Sequence, residues 1–147
     1  MSKALSGQKP PTPPSSLRKV LLVDNDSKDL NVCAEALRQE PGYDVHTCSC
    51  WDEGASRVER DRFDFILVCQ GGPQFEGRAV LERAMAKDRH TPVMVVTRCP
   101  SMNCYLEAMQ LGAFDYVEKP LAPSQLAQIV KSHIRPSAAA AVGSSLV

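Results

Sequence analysis

The chain alternates between short apolar, β-branched runs and longer stretches in which apolar residues return every three or four positions. The runs are "VLLV" from Val20, "YDVHTC" from Tyr43, "FILVC" from Phe65, "VMVVT" from Val93 and "FDYV" from Phe114. Their length and β-branched content predict strands, and strands that are apolar throughout belong in a parallel sheet covered on both faces. Between them Leu30, Cys33, Ala34 and Leu37 stand at helical spacing, as do Val80, Leu81, Ala84 and Met85. Leu106, Met109 and Leu111 outline a shorter helix closed by Gly112, and Leu126, Ile129, Val130 and His133 outline a last one. The alternation predicts an α/β domain of the (βα)5 type, a doubly wound five-stranded parallel sheet. Its ligand crevice should lie beyond the carboxyl ends of the strands.

The pattern is absent at both ends. Residues 1 to 17 are rich in Pro, Ser and Lys and lack an apolar period, so they are expected to be a disordered leader, and without an apolar core they form no signal peptide. Residues 136 to 147, opening with Pro136, are expected to be a flexible Ala/Ser tail. The folded unit is placed at residues 18 to 135, the size of one ordinary domain. If the chain is complete, no room remains after it for a DNA-binding or ATPase domain.

Composition narrows the function. Seventeen basic and seventeen acidic residues cancel, which argues against a general attraction to nucleic acid or anionic membranes. No apolar run approaches the length of a membrane span. Six cysteines without paired C-x-x-C spacing read as reduced thiols and a cytoplasmic location. Cys48 and Cys50 would share one face of a strand, awkwardly placed to bridge.

The strand ends place the candidate chemistry. Beyond the first strand stand Asp24, Asn25 and Asp26; beyond the third, Cys69 and Gln70; beyond the fourth, Thr97 and Arg98; beyond the fifth, Lys119 before Pro120. Carboxylates, a hydroxyl and a lysine around one crevice suit a phosphoryl group beside a hard cation. Asp26 also reads as the N-cap of the first helix, with Asp29 at a position like that of a capping box. His46, His90 and His133 lie away from the crevice and read as structural or solvated.

"VLLVDND", "GGPQFEG", "VMVVT" and above all "LEAMQLGAFDYVEKPL" resemble the receiver domains of two-component response regulators, most closely the nitrogen-regulation class of transcriptional activators. The resemblance implies the flavodoxin-like receiver fold and a role in phosphorelay signal transduction, in which a histidine kinase passes phosphate to an aspartate ending the third strand. It puts Asp24 and Asn25 on the acidic pair, Cys69 on the phosphoacceptor, Thr97 on the switch hydroxyl, Tyr116 on the switch aromatic and Lys119 on the family lysine. It also implies a cis peptide between Lys119 and Pro120. Partners are expected to be signalling proteins, met through the face of the fourth helix, fifth strand and fifth helix, with a second copy of the chain as one such partner.

Three departures converge on the site. Asn25 and Cys69 replace carboxylates, leaving Asp24 alone for a metal, so magnesium should bind weakly or not at all and no cofactor is expected. A thiol cannot form the family's acyl phosphate. Arg98 stands where the family has a small residue; it either plugs the pocket by forking onto Asp24 or extends into water. The resulting expectation is a pseudo-receiver that acts by protein contact and is not an enzyme. Two alternatives stand beside it. One is a thiol redox switch, with a lowered pKa at Cys69 and Cys99 as resolving partner; the other is phosphorylation in an unconventional way.

Overall fold

The computed structural model describes residues 17–136. The expected leader and tail, apart from Leu17 and Pro136, therefore lie outside the described residues. Five strands and five helices alternate: β1 (Arg18–Val23), α1 (Ser27–Arg38), β2 (Tyr43–Cys48), α2 (Trp51–Arg60), β3 (Phe65–Cys69), α3 (Arg78–Lys87), β4 (Val93–Thr97), α4 (Met102–Leu111), β5 (Asp115–Glu118) and α5 (Pro123–His133). All strand pairings are parallel and the order is β2-β1-β3-β4-β5. The expected doubly wound architecture is the one that forms.

The pleat divides the core into two layers, because successive side chains of a strand point to opposite faces. Leu21, Val23, Ile66, Val68, Val93 and Val95 pack against α2, α3 and α4 through Ala55, Val58, Val80, Leu81, Ala84 and Ala108. Val20, Leu22, Phe65, Leu67, Met94 and Val96 pack on the other side against Leu30, Ala34 and Leu37 of α1 and Leu126 and Val130 of α5. Double coverage explains why β3 and β4 are buried at every position, whereas the edge strand β5 has no buried residue.

Helix ends follow local chemistry. Asp26 caps α1, its Oδ1 accepting from the amides of Lys28 at 3.0 Å and Asp29 at 3.1 Å. The reciprocal arm expected of Asp29 does not form: the Asp26 amide is met by Asp24 Oδ1 at 2.9 Å, which frees Asp29 for another task. Gly112 ends α4 with φ +116°, and the Ala113 amide donates to the Ala108 carbonyl at 3.0 Å. The face of α4 differs from the expected one. Cys104 and Ala108 are buried while Leu106 is exposed, because small residues let α4 lie close to the sheet. Cys48 and Cys50 do not share a strand either. Cys48 ends β2 and Cys50 is the N-cap of α2, the one buried and the other exposed.

Candidate functional site

In this topology β1 connects outward to β2 on one side, while β3 lies on its other side, so the crevice opens where the two directions part. Val23 pairs with Val68 in register, which sets Asp24 beside Cys69 at the crevice floor. Cys69 pairs with Val96, and Thr97 with Glu118, which brings in Thr97 and then Lys119. The Lys119–Pro120 peptide is cis.

The floor is closed by an ion pair. Lys119 Nζ donates to Asp24 Oδ2 at 2.7 Å, with only 8% and 3% of the two side chains exposed. The same ammonium donates to Asp29 Oδ2 at 2.9 Å. Burial would lower the Lys119 pKa, but the hydrogen bonds to Asp24 and Asp29 outweigh it and hold the group well above its ordinary value. For Asp29 burial pushes upward and is outweighed in turn by Lys119 and Arg98, so its carboxyl lies below the usual range.

Arg98 does not fork onto Asp24. Its Nη2 donates to both oxygens of Asp29, at 2.8 Å and 2.7 Å, and the side chain remains half exposed at the rim. Asp24 lies too deep, with Oδ2 already engaged by Lys119 and Oδ1 by the Asp26 amide. The positive charge expected from arginine on Asp24 therefore comes from Lys119. Arg98 instead bridges the crevice mouth from the β4–α4 loop to α1.

Cys69 is buried, and its thiol pKa is raised, first by burial and then by the Asp24 carboxylate beside it; a Gly71 backbone contact and Lys119 pull the other way and lose. The lowered pKa considered for a redox thiol is thus reversed, because Lys119 directs its charge at the two carboxylates. Cys99 is exposed. Trp51, at the start of α2, donates from Nε1 to the Cys69 carbonyl at 2.9 Å, a contact that sequence reasoning missed.

Thr97 is fully buried and its Oγ1 accepts from the Cys99 amide at 2.9 Å, stabilising the turn after β4. Tyr116 accepts from the Ser101 amide at 3.1 Å and donates its hydroxyl proton to Gln70 Oε1. Burial raises the Tyr116 pKa, which keeps the phenol protonated as a donor. Asn25 is exposed. The histidines serve structure: His46 Nε2 donates to Asp44 and Nδ1 accepts from Arg57, while His133 stacks on Phe114. His90 is exposed.

As a donor set for a hard cation these residues fit poorly. Magnesium needs several free anionic oxygens in octahedral geometry, whereas the crevice offers Asp24 with both oxygens bonded, Asp29 already held by Lys119 and Arg98, a soft thiol and a neutral amide. Among the described residues no group of three or more His, Cys, Asp or Glu side chains could hold a metal ion.

Comparison with known proteins gives the family. The response regulator receiver domain profile matches residues 20–131. The chain is 27% identical over 129 residues to the alkaline phosphatase synthesis transcriptional regulatory protein PhoP of Bacillus subtilis, covering 88% of this chain and 53% of that protein. It is 31% identical over 127 residues to the transcriptional regulatory protein PrrA of Mycobacterium leprae, covering 86% and 54%. The chain thus spans about half the length of these curated relatives. Among solved structures, a CheY-like response regulator receiver domain protein from Methanospirillum hungatei superposes with TM-score 0.74 at 29% identity, covering 80% of this chain and 93% of that one. The match runs from the second residue-pair of β1 into α5 and so takes in every strand end that builds the crevice; the chain belongs to the response regulator receiver domain family.

Proposed function

We propose that this receiver domain of two-component signalling is a pseudo-receiver, which works in the cytoplasm through protein contacts and without aspartate phosphorylation. The observation that carries the reading is the Lys119–Asp24 pair beside Cys69. The group at the end of β3 is a thiol, and the carboxylate that a metal would need is neutralised by the chain's own lysine. Together the residues do the electrostatic work of a metal ion while leaving no acceptor for phosphate. Acyl phosphate formation needs a carboxylate oxygen as nucleophile, and the thiol supplies none.

Receiver domains signal by contact with partner proteins. Here the exposed side chains Met102 and Tyr105 of α4 lie beside Tyr116 of β5, with Leu106 also exposed on that helix, and they support a contact face made by α4, β5 and α5. The partner is a signalling protein, and catalysis is not part of the domain's role. The buried, raised-pKa thiol disfavours the redox alternative.

The test is a titration of the purified chain with magnesium and beryllofluoride, followed by amide NMR, alongside incubation with acetyl phosphate and intact-mass measurement. The expected result is no shift at Asp24, Thr97 or Lys119 and no added phosphoryl mass. A stable magnesium-dependent phosphoryl adduct would overturn the reading.

A further inference from the structure

Gln70 follows Cys69 directly and is completely buried, next to a strand that is otherwise apolar. A primary amide in that setting costs stability unless its donors and acceptors are paired. Its partners come from three separate segments. Nε2 donates to the Gly72 carbonyl at 3.1 Å in its own loop and to the Cys99 carbonyl at 3.4 Å in the β4–α4 loop. Oε1 accepts from the Tyr116 hydroxyl of β5. The orientation of the amide is dictated by these neighbours: carbonyl oxygens can only accept, so the NH2 must face them and the oxygen must face the phenol.

The chain of bonds continues outward. Tyr116, having given its proton to Gln70, accepts from the Ser101 amide at 3.1 Å, and Ser101 caps α4 by accepting from the Cys104 amide at 3.0 Å. The main chain of Gln70 is anchored as well, its amide donating to the Val96 carbonyl at 2.8 Å and its carbonyl accepting from Gly77 at 3.1 Å. The β4–α4 loop is thereby held at Cys99 and Ser101 by one buried side chain and the tyrosine it binds. The outer edge of that tyrosine meets Tyr105 edge-on at 5.7 Å, on the surface that also carries Met102.

We infer that Gln70 is a latch that fixes Tyr116 and the β4–α4 loop in a single arrangement, and so sets the shape of the Met102–Tyr105–Tyr116 surface without any event at Cys69. The inference rests on the proposed output through α4 and β5. Gln70 makes a standing hydrogen-bonded link from the end of β3 to β5 and the β4–α4 loop, and the partner therefore meets one constant surface.

The experiment compares wild type with Gln70→Leu and Tyr116→Phe by relaxation dispersion and amide hydrogen exchange. The wild type is expected to show no microsecond-to-millisecond exchange at Cys99, Ser101, Cys104 or Tyr116, and both variants to show it there. Ser101 exchange should accelerate about tenfold, corresponding to the loss of one ordinary hydrogen bond. Amides of β1 and β3 report whether the fold is intact. Should Gln70→Leu not fold, Tyr116→Phe decides, because it deletes only the hydroxyl. Unchanged Ser101 exchange and no dispersion in Tyr116→Phe would overturn the latch. The outcome is separate from that of the beryllofluoride titration: a wild type that responds to beryllofluoride ends the pseudo-receiver reading, and quiet variants end the latch alone.

Discussion

Lys119 and Asp24 form an ion pair shielded from solvent at the crevice floor. Each is buried, and removing one partner of a buried pair leaves an uncompensated charge in a poorly solvated place. Lys119→Met is expected to lower unfolding free energy by about 3–5 kcal/mol in urea denaturation, and Asp24→Asn added to it should recover part of that loss. Asp29 gives a pH signature. A carboxyl whose folded pKa is depressed contributes stability above its unfolded value and loses it as pH falls through the folded value. Stability should therefore decline as pH drops below the ordinary 3.8 of Asp29, and Asp29→Asn should flatten that decline in urea titrations at successive pH values. The sequence made Lys119 and Asp24 visible as members of one crevice, since strand ends fix position. It did not reveal who pairs with whom. Asp29 looked like a capping residue because its spacing from Asp26 fits one, and only the depth of Asp24 decides that Arg98 must turn to Asp29 instead.

At the scale of elements, strands were the most legible. The runs at residues 43 to 48, 65 to 69 and 93 to 97 coincide with β2, β3 and β4. In β3 and β4, burial on both faces writes itself into sequence as a near-continuous apolar run, whereas the edge strand β2 keeps Asp44, His46 and Thr47 among its apolar residues. Helix α2 carries few large apolar residues: its buried positions are Gly54, Ala55 and Val58, set among charged ones, so a search for repeated Leu, Ile or Val passes over it. In α4 the same effect hid the inward face, since Cys104 and Ala108 face the core while larger Leu106 faces water. The end of α4 was nonetheless readable from Gly112. A Cβ there would sit in a left-handed conformation and 2.6 Å from Met85 Sδ. Gly112→Ala is expected to cost about 1–2 kcal/mol, measurable as a lowered urea midpoint with unchanged slope.

For the whole molecule, the three central strands form the most protected unit. β3 and β4 are buried throughout and β1 over its last four residues, whereas β2 and β5 are edges. Amides of β1, β3 and β4 should exchange slowest, at a rate set by global unfolding, and those of β5 earlier; hydrogen exchange with mass detection checks the order. The fold was legible because every level of the sequence points to it, and the crevice because topology alone collects the strand ends. The latch at Gln70 was not, since a glutamine after a strand carries no mark of being buried. The contact between Trp51 and the Cys69 carbonyl has a practical side. The chain has a single tryptophan, and its indole rests against the main chain of residue 69. Light emitted by that ring therefore comes from one known spot, and any molecule lodging beside the thiol would announce itself as a colour shift in the native, dye-free protein.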